Sequence, residues 1–166
     1  GFEVGTEYAR RSGFETTGRD GLTLTEHWAE GMRTLHGVHV HGFPNLFIIG
    51  ITQAGNLISN ITSNLVESGS TIAAVVAHAT EVGAAEVEAT QEAEDAWIEL
   101  IDRNLDDNPI LGNPDCTPGY YNNEGRPMGR RERLFAGGYP AGPVAYFDFI
   151  EQWRTSGDFE GLDLRR

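Results

Sequence analysis

Three histidines, His36, His39 and His41, stand close together, and His39 and His41 would share one face of an extended segment. Imidazoles so placed can ligate a metal. No carboxylate or cysteine stands near enough to complete a tetrahedral or facial set, so surface or half-buried histidines are the plainer reading and no metal site is expected. Arg126, Arg130, Arg131 and Arg133 could together meet a phosphate, but Glu132 sits among them and a solvated loop explains them as well. Cys116 is the sole thiol and has no base near it in sequence, so it reads as packed or idle. Asn60-Ile61-Thr62 has the form of a glycosylation sequon, which chance explains at a helix start in a chain showing no secretory signal.

The richest local feature is the stretch from Leu46 to Ile61. An apolar run, Leu46-Phe47-Ile48-Ile49, closes at Gly50, and a polar turn then feeds a helix. Free N–H groups and roughly +0.5 of charge at that helix start favour an anion or an electron-rich carbonyl. An ordinary crossover in an α/β sheet would have the same outline. The glycine-rich dinucleotide motif, the nucleophile-elbow motif and the zincin motif are all absent. On its own residues the chain holds no complete catalytic constellation.

Several elements must position these groups. Thr23 to Trp28 reads as a short capped helix that Gly31 ends. Val38 and Val40 alternate with His39 and His41, the pattern of a strand with two unlike faces. After the turn Gly42-Phe43-Pro44-Asn45, the run Leu46–Ile49 reads as a central strand buried on both faces. A long helix follows with Ser59 as N-cap, apolar residues at Ile61, Leu65, Ile72, Val75, Val76, Ala79 and Val82, and Gly83 as C-cap. Gly69 inside it implies a close neighbour. A second helix spans about Gln91 to Asn104 with Thr90 as N-cap; Trp97, Ile98 and Ile101 lie on one side, and Glu92, Glu94, Asp95, Glu99 and Asp102 form a solvated face. Residues 1–21 read as irregular with one short strand, and Asp106 to Gly142 as a long excursion with little regular structure. An amphipathic helix carrying Tyr146, Phe147, Ile150 and Trp153 stops at Gly157, and Phe159 to Leu164 suggests a last edge strand.

Composition narrows the function further. The 166 residues carry 25 Asp+Glu against 12 Lys+Arg, a formal charge of −13, and every one of those cations is arginine. A lysine Schiff base and a Walker-type phosphate lysine are therefore excluded, and the acidity argues against nucleic acid and anionic membranes. With 21 glycines the chain needs many tight turns. Its longest uncharged apolar stretch, Ser68 to Thr80, falls short of the roughly 18–20 residues that span a bilayer. The single cysteine is compatible with a reducing compartment, and a cytoplasmic protein is expected. The start at Gly1 suggests a piece cut from something longer.

Gly42-Phe43-Pro44-Asn45-Leu46-Phe47-Ile48-Ile49-Gly50, with Ser59-Asn60 following, closely resembles the class B flavoprotein monooxygenases, specifically the Baeyer–Villiger monooxygenases. Gly1-Phe2-Glu3 resembles the tail of that family's A-T-G-[FY]-[DE] motif. Leu24-x-Glu26-x-Trp28, Glu92-x-Glu94-Asp95-x-Trp97 and the closing Tyr146…Gly157-x-Phe159-x-Gly161 pattern are similar to its C-terminal third. The resemblance implies an enzyme that uses FAD, NADPH and O2 to insert oxygen beside a ketone carbonyl, giving an ester or lactone. Its fingerprint motif, glycine-rich motifs and catalytic arginine would lie upstream of Gly1, so the piece alone is expected to be inactive.

On this resemblance the chain is α/β. It would hold the last strand and following helix of a Rossmann-like FAD domain (the end of the FAD/NADP-binding region, 1–83), then a helical cap with a cofactor-covering loop (84–166). Gly1, Phe2, Gln53, Asn60 and Ile61 would contact the cofactor, while Asn56, Leu57 and Ile58 would line the ketone pocket. Cys116 to Gly125 corresponds to a loop over the nicotinamide; Tyr120 and Tyr121 would reach the substrate side or replace an NADP-contacting aromatic there. The implied partner is the N-terminal remainder of the polypeptide. A flavin-containing N- or S-oxygenase or hydroxylase, and a non-enzymatic binding module, are the alternatives.

Overall fold

The computed structural model describes residues 8–56, 58–105, 117–119 and 125–166. In chain order they form α1 (Tyr8–Ser12), α2 (Leu24–His27), α3 (Ile61–Val82), β1 (Glu86–Ala89), α4 (Gln91–Asp102), α5 (Arg130–Ala136), α6 (Gly142–Ser156) and β2 (Leu162–Arg165). The architecture is mixed α/β, with helices dominant. Helix ends follow local chemistry. A capping box between Thr23 and Glu26 starts α2, and Thr90 accepts from the Ala93 amide to start α4. Gly83 and Gly157 take left-handed conformations after α3 and α6.

β1 and β2 pair antiparallel with Val87 opposite Leu164. The main apolar cluster joins Trp97, Ile98 and Ile101 of α4, Leu134 of α5, and Tyr146 and Ile150 of α6. Leu35 and Ala54 belong to the same cluster, so packing crosses the division expected at residue 83. A second cluster gathers Trp28, Met32, Val40, Phe43, Ile48 and Phe135. Among the described residues no helix is long and apolar enough to cross a membrane.

Two buried carboxylates fasten the irregular stretch 18–45 to β1 and α4. Glu88 accepts from Arg19 Nε at 2.9 Å and from the Gly42 amide at 2.9 Å, with Arg165 Nη1 also 2.9 Å away. Glu94 accepts from the His41 amide at 3.0 Å, from His27 Nε2 at 3.1 Å and from Arg33 Nε at 3.3 Å. Glu94 is only 1% exposed, which corrects the expectation that the acidic side of α4 is wholly solvated.

Other expectations also change. Leu46–Ile49 is not a ladder strand: its link to His39 is a single bridge at Phe47, and Ile49 is 59% exposed. A strand exists only where neighbouring backbone pairs with it, and the described residues offer no parallel neighbour. The last-strand element of a Rossmann-like domain is therefore not formed within them. Val38, His39 and Val40 are all buried, so that segment has no wet face. Residues 8–12 are helical rather than irregular, Arg130–Ala136 interrupts the expected long excursion, and β1 falls in a stretch where no element was expected.

The long helix α3 departs furthest from its pattern. Asn64, Ser68, Thr71, Val75 and Ala79 face inward, whereas Ile61, Leu65, Val66, Val76 and Val82 are exposed. Of the apolar stripe, Val75 and Ala79 are buried and Ile72 is half-buried. Arg154 of α6 donates to Glu67 at 2.7 Å and Thr71 at 3.1 Å, so polar contacts dock this helix on its neighbour. Among the described residues nothing outside the helix's own backbone lies within 4 Å of a Cβ built on Gly69, so no close neighbour among them accounts for that glycine.

Candidate functional site

The polar turn from Ile51 to Asn60 and the first turn of α3 form one constructed unit. Asn60, not Ser59, is the N-cap: its Oδ1 accepts from the Ser63 amide at 3.3 Å. The Asn64 amide returns to the Asn60 carbonyl, also at 3.3 Å. The first helical amides, Ile61 and Thr62, are those that an α-helix leaves without an intrahelical acceptor. No acidic side chain lies in this first turn, and Ile61 is 53% exposed. A helix of 22 residues thus offers two open donors at its positive end beside an apolar rim of Ile58 and Ile61. Such an edge suits an electron-rich carbonyl.

Gln53, expected at the cofactor, is instead an internal brace. It is fully buried with a left-handed φ of 56°, which a glutamine adopts only when its surroundings dictate it. Its Nε2 donates to the carbonyls of Met32 at 2.7 Å and Leu134 at 3.2 Å, and its Oε1 accepts from Thr34 at 2.6 Å. The backbone amide donates to Gly137 at 2.7 Å, and the carbonyl accepts from the Trp97 indole at 3.2 Å. With its side-chain amide bonded to Met32, Leu134 and Thr34 inside the chain, Gln53 turns no polar side-chain group outward for the expected cofactor contact. Asn56 is also left-handed and nearly buried, pressed under Gly138, where a Cβ would come within 2.5 Å of its own. Ile58 lies open to solvent. Gly1, Phe2, Leu57, Cys116, Tyr120 and Tyr121 lie outside the described residues.

Two of the three histidines are packed among aromatic rings. His36 is enclosed by Trp97, Phe149 and Trp153, whose ring centroids stand 4.8, 5.1 and 4.8 Å from its own. Burial pushes its pKa well below the usual value, reinforced by His39. His39, against Phe47 and Trp153, is pushed down by burial to about 3. Both are fully enclosed rather than half-buried; His41 Nδ1 lies 2.9 Å from the Ala89 carbonyl. Among the described residues no three His, Cys, Asp or Glu side chains could hold a metal ion together. The arginine cluster is shared out as well: Arg130 Nε donates to Asp102 at 2.8 Å, and Arg131 Nε to the Ala29 carbonyl at 3.0 Å.

What the sequence reading missed is the lattice behind the helix end. Asn64 Nδ2 donates to Ser59 Oγ at 2.6 Å and to the Asn60 carbonyl at 3.1 Å. Ser59 Oγ in turn reaches the Asn56 carbonyl at 3.0 Å. The available signal was the clustering of Asn56, Ser59, Asn60 and Asn64 around the helix start.

No family model matches the chain. Among curated proteins it is 44% identical over 163 residues to the pentalenolactone D synthase of Streptomyces exfoliatus, covering 98% of this chain and 27% of that protein. It is 41% identical over 155 residues to a Baeyer–Villiger monooxygenase of Streptomyces coelicolor, covering 93% of this chain and 24% of the relative. The polycyclic ketone monooxygenase of Thermothelomyces thermophila superimposes with a TM-score of 0.80 at 33% identity, over 97% of this chain and 26% of that one. The chain spans about a quarter of the length of the curated relatives it matches, in their C-terminal portion.

Proposed function

We infer that this chain, homologous over nearly its whole length to a quarter of a Baeyer–Villiger monooxygenase, forms one wall of the flavin and ketone site in such an enzyme. The full reaction would convert a ketone to an ester or lactone with O2, FAD and NADPH. The observation that carries the reading is the α3 N-terminus, where two open amides and an apolar rim coincide with the segment that resembles the family's flavin contact. FAD, reduced by NADPH, would supply the oxygen activation. The chain's own part is to bind and orient. Asn60 shapes the helix end, and the amides of Ile61 and Thr62 offer donors to the flavin N1–C2=O edge, where negative charge gathers on reduction. Asn56, Leu57 and Ile58 would border the ketone.

Gly1 and Phe2 at the cofactor, and Tyr120 and Tyr121 at the substrate or nicotinamide, are assigned by the same resemblance. So is the division into a cofactor-binding part (1–83) and a cap (84–166). An N-terminal remainder would complete the site, because these residues include no lysine and no glycine-rich phosphate cradle. The exposed apolar side of α3 and the outward Ile49 fit a surface that such a remainder covers.

The test compares the chain alone with the chain joined to the upstream three-quarters that its relatives possess. Joined, it should retain FAD and consume NADPH with a cyclic ketone, placing 18O from 18O2 in the lactone. Alone, it should retain no FAD. Micromolar FAD binding with turnover by the chain alone would contradict the reading, as would oxidation of amines or sulfides but never ketones by the joined protein.

A further inference from the structure

Asn64 occupies the fourth position of α3, one turn in from Asn60, where a side chain leans back toward the helix N-terminus. It is 1% exposed and is the first of three polar residues, Asn64, Ser68 and Thr71, that α3 turns inward. Its orientation is fixed by its neighbours. The Asn60 carbonyl can only accept, and Ser59 Oγ spends its single proton toward the Asn56 or Gly55 carbonyl, at 3.0 or 3.3 Å. Only Nδ2 satisfies that side, and Oδ1 is left facing Gly55, where a Cβ would sit 2.6 Å away. This Oδ1 has no hydrogen-bond partner among the described residues. A buried acceptor without a donor lowers stability, and leucine there would avoid it, so stability does not account for the choice. What the amide does achieve is to tie two carbonyl-bearing residues of the entry turn, Asn56 and Asn60, to the helix body through one node.

We propose that Asn64, acting through Ser59, is a positioning residue that aims the Ile61 and Thr62 amides at the flavin edge. The inference rests on the flavin-facing reading of this helix end. With the carbonyls of Asn56 and Asn60 drawn inward, the turn cannot rotate about the helix axis, and the two donors keep one direction. Such fixed donors stabilise charge developing on a bound group without reorganising.

Three variants of the flavin-loaded full-length protein separate the inference from the reading beneath it. Ile61→Pro removes one of the two amides but keeps the helix, since proline is favoured at the first helical position and Asn60 already has an extended ψ of 125°. Asn64→Leu and Ser59→Ala break the node at its two ends; Ser59→Ala deletes a single partly exposed oxygen and guards against a folding failure at Asn64. The readouts are the flavin midpoint potential and the amide exchange of residues 59–82. All three variants should lower the potential, because the reduced, anionic flavin loses its donors. In Asn64→Leu and Ser59→Ala, exchange at Ser59 and Asn64 should quicken about tenfold while residues 68–82 keep their protection. If Ile61→Pro lowers the potential but the other two do not, the positioning role of Asn64 is overturned. Loosening of the entire helix would overturn it as well, by showing a merely structural role. If none of the three shifts the potential, the flavin-facing reading itself fails.

Discussion

Gln53 shows how far a single side chain can determine a loop. Its bonds to Met32, Thr34 and Leu134 join three separate stretches of chain. Gln53→Leu should therefore destabilise the protein by about 2–4 kcal/mol in urea titration, since it leaves buried carbonyls unpaired. The sequence suggested an outward role for this residue, because a polar side chain in a glycine-bearing turn looks the same whether it faces a ligand or the core; the structure turns it to the core. His36 and His39 give a second prediction. Their folded pKa values are depressed, so the native state stays neutral while the unfolded chain takes up protons as pH falls below 6.5. Stability should then decline from pH 6.5 downward, by about 1.4 kcal/mol per pH unit for each enclosed histidine, and for His39 the decline continues toward pH 3. His39→Phe should remove one proton's worth of that slope, and unfolding titrations across the window will measure it.

The elements were legible to the extent that their ends carry local chemistry. Thr23, Thr90, Gly83 and Gly157 marked helix boundaries correctly, because caps and left-handed termini depend on immediate neighbours alone. Leu46–Ile49 and the stripe of α3 were misjudged for the opposite reason: burial depends on what lies across the interface, which periodicity does not reveal. Gly69 illustrates the difference. Its surroundings are open, so Gly69→Ala should stabilise α3 by about 0.5–1 kcal/mol, seen as a higher thermal midpoint. A loss of stability there would instead point to a contact supplied from outside these residues.

At the scale of the whole molecule, the candidate site is an open edge among the described residues. The core of α4, α5 and α6 supports the turn from behind through Gln53 and Asn56, while Ile58 and Ile61 stand at the open margin. Apolar groups continue outward along Leu65 and Val66. The isolated chain should accordingly self-associate at micromolar concentrations. Leu65→Glu with Val66→Glu should abolish that in sedimentation velocity and leave the unfolding free energy, measured by urea titration, within about 1 kcal/mol of its original value. Had these residues formed an inward core stripe, the same pair would unfold the protein.

That outward-turned helix also bears on the chain's fate in a cell. A surface that presents isoleucine, leucine and valine while hiding serine, threonine and asparagine carries the marks by which chaperones and proteases single out incomplete products. If the upstream part of the same polypeptide failed to fold over α3, the whole molecule would be open to that clearance, so a destabilising change far upstream would lower the abundance of these residues too.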